Sequence, residues 1–164
     1  MSPDAPPEPL SEALSAFIQS GLSITVASRD GGMQTSLARC FGCRVSADRR
    51  RVTLVVQHAQ AAAVLADVRT SGHVAAVFSK PSTNQTVQLK GQDAVVEPQR
   101  PFDQVCAGQH VEALLADLHS LHEYGEPLLR AVFQWDPADL CSISFTPSAG
   151  FIQTPGPSAG NRLP

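Results

Sequence analysis

Between residues 24 and 96 the chain strings together short β-branched runs separated by turn residues, with one Ala-rich helical stretch spliced in. Residues 23–29 read as a strand, Asp30-Gly31-Gly32 as a tight turn, and 33–45 as a long returning strand in which Gly42 permits a bend. Residues 51–57 alternate two apolar sets, as expected of a strand covered on both sides. A helix over 59–69 follows, with Gly72 just past its end, then strands over 73–79 and 85–96 joined by a Lys-Pro-Ser-Thr-Asn loop. At least five strands with a single helix among them suggest a small barrel.

The flanks are different in texture. Residues 1–9 hold four prolines and little to bury, which predicts a disordered lead, and residues 10–164 are expected to form one domain. Leu10, Ala13, Leu14, Phe17 and Ile18 recur at helical spacing, with Gly21 placed to end that helix. A helical insertion is expected over about 100–135: Val111, Leu114, Leu115, Leu118 and Leu121 form one stripe on a helix from 109 to 123, and 127–133 add a shorter one. Residues 140–145 return to strand, and the Pro/Gly-rich segment 146–164 reads as a loop.

Charge and cysteine usage narrow the functional classes. A net charge of −3, with arginines dispersed except at 49–51, is no nucleic-acid footprint. No stretch approaches the roughly 18 apolar residues of a membrane span, and the first residues lack a signal peptide's basic start, so a soluble cytoplasmic protein is the expectation. Cys40 and Cys43 have redox-pair spacing, yet they fall in an extended segment where residues three apart point to opposite faces; reduced, partly buried thiols are expected. His119 and His122 do not share a clean polar helix face, so no metal site is assigned to them. Trp135, the one tryptophan, is expected in the core or at a subunit interface.

The order of elements over residues 24–96, with a weaker echo at the C-terminal Gln153-Thr-Pro-Gly-Pro-Ser-Ala-Gly160 phrase, resembles the pyridoxamine 5′-phosphate oxidase-like, FMN-binding split-barrel family. The resemblance implies an α+β fold, a split β-barrel of Greek-key type with flanking helices, and a homodimer with FMN at the subunit interface. The oxidases for which the family is named carry an Arg five residues before a Lys on the second strand; Arg39 and Arg44 have that spacing here. Residues five apart on a regular strand face opposite ways, so both reach one ligand only if the strand bends between them.

The same resemblance places the FMN phosphate at the junction after Gln57. There, free N–H groups at Ala59, Gln60 and Ala61 and the side chains of Gln57, His58 and Gln60 would meet an anion. Relatives have a basic pair early in this helix, where this chain has Ala62 and Ala63. On the later strand Gln88 and Lys90 share a face, and Lys90 is the candidate for the charge that develops on a reduced flavin ring. The Arg-Leu-His-x-Arg phrase that grips the vitamin substrate in the oxidases is absent from the ending Asn161-Arg-Leu-Pro164.

The expected function is therefore FMN-dependent oxidoreduction of an unidentified small molecule, with Arg39, Arg44, Gln57, His58, Gln60, Gln88 and Lys90 as cofactor-binding residues. No side chain stands out as a general acid or base. The alternative is a non-enzymatic flavin- or haem-binding or sensing module on the same barrel.

Overall fold

A computed structural model describes residues 8–121 and 125–163. The elements run α1 (Glu12–Ile18), β1 (Ser23–Arg29), β2 (Thr35–Val45), β3 (Val52–Gln57), α2 (Ala62–Ser71), β4 (Val74–Ser79), β5 (Thr86–Gly91), β6 (Val95–Pro98), α3 (Pro101–Ser120), α4 (Glu126–Val132), β7 (Leu140–Phe145) and β8 (Ala149–Ile152). The strands form one antiparallel sheet in the order β6-β7-β3-β2-β1-β4-β5-β8.

That order forces curvature. β5 and β6 stand six strand positions apart, about 29 Å if the sheet were flat, yet only residues 92–94 join them, and four Cα steps reach at most about 14 Å. β7 and β8 are likewise six positions apart with a three-residue connection. The sheet must roll up so that β5 approaches β7. A Cβ on Gly91 would indeed stand 2.6 Å from the Phe145 ring, and Thr146 donates its N–H to Asp93 at 2.7 Å.

Inside the roll lies the main core, built from Ile24, Val26, Leu54, Val56, Phe78, Leu89, Ile143 and Phe145 and closed by Val64, Leu65 and Val68 of α2. A second, smaller core lies outside it. There Ala107, Val111 and Leu115 of α3 pack on Phe41, Val55 and Leu140. α3 thus covers the outer face of β2, β3 and β7, while the outer face of β1, β4, β5 and β8 is left open.

Several boundaries differ from the sequence reading. The strand expected over 85–96 is two strands, because Gln92–Ala94 bend away and the Ala94 N–H binds the Gly72 carbonyl at 2.9 Å. α3 begins at Pro101 rather than near 109: Pro101 takes the first helical position, where its missing N–H costs nothing, and Asp103 accepts the Arg100 N–H at 2.8 Å in a capping box. The segment after Thr146 is not all loop, since β8 pairs with β5 and Phe151 bridges to Arg162. Residues 1–7 of the expected lead, and His122 and Glu123, lie outside the described residues. Among the described residues no helix is long and apolar enough to cross a membrane, and no cluster of His, Cys, Asp and Glu has a metal-binding arrangement.

The most consequential local feature is in β2. Its pairing with β3 slips between Cys40 and Gly42, so that Cys40 opposes Val56 while Gly42 opposes Val55. One extra residue in the bulge reverses the alternation downstream. Cys40 and Cys43 therefore both face the main core, not opposite sides as regular alternation predicts, and both are buried and free. Burial pushes both thiols well above their ordinary titration range.

Candidate functional site

Pairing across the sheet sets the open outer face in rows. Thr25 opposes Arg39 on one side and Val77 on the other, Val77 opposes Gln88, and Gln88 opposes Phe151. One step past the Cys40–Val56 pair, Gln57 stands beside Arg39. The row thus reads Gln57, Arg39, Thr25, Val77, Gln88, Phe151. Two residues along the strands runs a second row, Leu37, Ala27, Ala75, Lys90, Ala149. Small side chains form the middle of both rows; in the first, Gln57 and Arg39 stand on one side and Gln88 on the other, and in the second, Leu37 and Lys90 flank the alanine pair. Leu37, 72% exposed, lies on this face.

The flanking groups are braced. Arg39 donates to the Val132 carbonyl at 2.7 Å and its guanidinium stacks over Phe133 at 4.5 Å, which fixes its side chain against the end of α4. Lys90 stands 5.1 Å over the Phe151 ring, and Arg162 approaches the same ring at 5.8 Å. Neither Phe133 nor Phe151 was singled out from sequence; the partner of Gln88 on β8 is legible only once the C-terminal segment is known to be a strand.

The bulge puts Arg44 on the same outer face as Arg39, which is the condition the five-residue spacing required, but under α3. Its Nη2 donates to Asp103 at 2.7 Å, and that carboxylate is fully buried and also accepts from the Ser142 hydroxyl at 3.2 Å. Arg44 is therefore held as the cation of an internal ion pair, away from the open rows.

The start of α2 also differs from expectation. The helix begins at Ala62, because residues 58–61 form a turn in which the Ala61 N–H binds the Gln57 carbonyl at 2.9 Å. The Ala59 N–H donates to the Asp139 carboxylate at 3.0 Å, and the His58 N–H to the Asp139 carbonyl at 2.7 Å. Of the three amides expected to face an anion, two are thus bound by the protein itself. The first turn proper, from Ala62, has no side-chain cap. Gln57 is buried and accepts from Gln60 at 3.3 Å, while His58 and Gln60 are exposed. Asp139, missed in the sequence, sits in an Asp-Pro-Ala-Asp phrase just before β7, a composition that marks turns and caps.

No protein-family model matches the sequence, and no curated protein matches it. Solved structures do. The crystal structure of HupZ from Group A Streptococcus superposes with a TM-score of 0.53 at 13% identity, covering 92% of this chain and 99% of that one. A crystal structure described as a putative pyridoxamine 5′-phosphate oxidase from Lactobacillus delbrueckii gives 0.53 at 12% identity, over 88% and 95% of the two chains. The chain has the split-barrel fold of the pyridoxamine 5′-phosphate oxidase-like proteins. An F420 reductase matches the same split barrel at a TM-score of 0.50 and 11% identity, with 86% of this chain and 98% of that one covered. At such identities the likeness is one of backbone.

Proposed function

We propose that this split barrel binds a flavin nucleotide, FMN, against the open outer face of β1, β2, β4 and β5, and uses it for oxidoreduction of a small molecule. The observation that carries the reading is the row Gln57–Arg39–Thr25–Val77–Gln88, where a floor of small side chains is bounded at both ends by hydrogen-bonding groups. A flat heterocycle needs such a floor, and its carbonyl and ring nitrogens need such flanks. When bound, the flavin supplies a hydride-accepting ring.

The chain's own residues bind and orient it. Arg39 and Gln57 hold the ribityl and phosphate end beside the uncapped first turn of α2, and Gln88 and Lys90 attend the ring. His58 and Gln60 add exposed donors at the same junction. Arg44 contributes through its ion pair with Asp103, by seating α3. The exposed Leu37 on this face supports a second copy of the chain closing over the site, as a homodimer.

The test is FMN titration of the purified protein, followed by tryptophan and flavin fluorescence. Arg39→Ala is expected to weaken FMN binding about tenfold with the far-UV circular dichroism unchanged, whereas Asp139→Asn, which removes a carboxylate from the phosphate end, tightens it. An Arg39→Ala protein with wild-type FMN affinity would overturn the reading. A non-enzymatic flavin carrier is separated by NADPH: bands that fail to bleach with every nicotinamide or small-molecule donor tried leave binding without turnover.

A further inference from the structure

At the hairpin end of the same strands, a cleft of about 400 Å³ opens between β1, β4, β5 and the segment before β8. Its lining includes Arg29, His73 and Lys90, together with Thr35, Gln92 and Ser148, and it contains no carboxylate. Ala27, Ala75 and Ala149 supply the floor, in register with Lys90. This volume lies within the range of small-molecule sites. It is at the far end of the strands from Gln57 and the start of α2, so it is a separate place from the one assigned to the flavin phosphate.

The three basic groups are unmatched by acids. Arg29 is only partly exposed, and among the described residues it has no ion pair or hydrogen bond through its guanidinium. Acids on the adjoining segments are engaged elsewhere: Asp30 accepts from the Gly32 and Gln34 N–H groups, Asp67 from the Ser36 hydroxyl, and Asp93 from Thr146 and Arg51. The other arginine-rich depression shows the contrast. There Arg44, Arg51 and Arg100 each have a carboxylate partner, Asp103, Asp93 and Glu97 respectively. In a chain of net charge −3, a cleft lined by three basic side chains and no acid leaves the half-buried Arg29 guanidinium uncompensated.

The geometry is also fixed in advance. Arg29 ends β1, paired with Thr35 across a hairpin whose tip is tied by Asp30. His73 Nδ1 lies 2.9 Å from the Ser71 carbonyl; since a carbonyl only accepts, Nδ1 carries a proton, and Nε2 is the ring's remaining polar atom, a donor to an anion in the imidazolium form. The backbone there is anchored by the Ser28 hydroxyl donating to the His73 carbonyl at 2.7 Å. The backbone that carries Arg29 and the ring of His73 are thus held in place, which lowers what binding must lose in ordering them.

We propose that this cleft is a binding site for a small organic anion, a phosphate or carboxylate carried on a flat apolar body, with Arg29, His73 and Lys90 meeting the charge and the alanine floor meeting the body. It adjoins the place proposed for the flavin ring, with Lys90 and the alanine row common to both, and it is distinguished by Arg29 and His73, which the flavin reading does not use.

The experiment is titration of the isotopically labelled protein with phenyl phosphate, benzoate and neutral benzyl alcohol, followed by backbone amide shifts, with affinities from calorimetry. At least one of the two anions is expected to bind, shifting the amides of Ala27, Ala75, Lys90 and Ser148, while benzyl alcohol does not; the tighter of the two identifies phosphate or carboxylate as the preferred group. Arg29→Gln and His73→Gln, neither assigned to the flavin, each weaken that binding about tenfold while leaving the melting temperature and FMN titration unchanged. Absence of binding by both anions, shifts centred on Arg39 and Gln57 instead, or unchanged affinity in both variants would overturn the proposal.

Discussion

The pair formed by Arg44 and Asp103 decides whether an arginine that looks like a ligand group is a structural one. Asp103 is fully buried and has three partners: the Arg44 guanidinium at 2.7 Å, the Arg100 N–H at 2.8 Å and the Ser142 hydroxyl at 3.2 Å. Truncation to Ala strands all three, leaving a largely enclosed guanidinium whose Nε already lacks a partner. Breaking a buried pair from one side costs about 3–5 kcal/mol, and loss of the helix cap about 1 kcal/mol. Asp103→Ala is therefore expected to destabilise by about 5 kcal/mol, a fall of about 10–20 °C in melting temperature for a chain of this size. Arg44→Met, which leaves the carboxylate with its two neutral donors, is expected to cost about 3 kcal/mol. If the two charges exist for each other, Arg44→Met with Asp103→Ala costs about 5 kcal/mol, not about 8, because the second substitution removes an already stranded group. Urea unfolding of the four proteins at pH 7.5 reads this directly. Strict additivity, or singles costing less than about 1 kcal/mol, would refute the ion-pair argument and return Arg44 to the pool of ligand-binding residues.

Two further outcomes follow from buried groups. His110 donates from Nε2 to the Leu22 carbonyl at 2.8 Å, and burial holds its imidazole below the ordinary value. The unfolded chain then takes up the proton more readily, so stability is full above about pH 6.5 and falls below it by at most about 1.4 kcal/mol per pH unit; urea melts at pH 7.5 and 5.5 should show a loss that His110→Gln removes, and an equal loss in the variant would count against it. Gly21 has φ +76°, and an added Cβ would stand 2.3 Å from the Ala113 Cβ on α3; Gly21→Ala is expected to cost about 3 kcal/mol, and a melting temperature within 2 °C of wild type would show that α3 can shift aside.

Much of the barrel is legible in the sequence because its signals are local. The Asp30-Gly31-Gly32 turn, the doubly apolar Val52–Gln57 strand and Gly72 after α2 each state their element within a few residues. Gly72 in fact has φ +65°, the left-handed conformation expected of a helix-ending glycine. What escapes is set by distance along the chain. The strand after Thr146 is short and rich in small residues, and it is a strand only because β5 offers it an edge some sixty residues earlier. The capping of Ala59 by Asp139 spans 80 residues, so nothing near Gln57 announces it. In the candidate site, Arg39, Gln57, Gln88 and Lys90 share one face as alternation predicts, whereas Arg44's fate turns on a helix whose first turn the leucine stripe does not reveal. Arg29 and His73 read as ordinary strand-end residues until the acids around them are seen to be occupied.

The bulge at Phe41 and Gly42 makes β2 a strand of two halves with opposite parity. Upstream, even-numbered side chains look inward; downstream, odd-numbered ones do. Both thiols consequently enter the interior, both arginines leave it, and Phe41 is turned out to anchor α3. Removing one residue at that point would not slide the strand along its neighbours by a notch. It would exchange inside for outside over every position on one side of the kink, setting a guanidinium where a thiol had been, so this short irregularity is what allows a single strand to furnish both cores of the molecule.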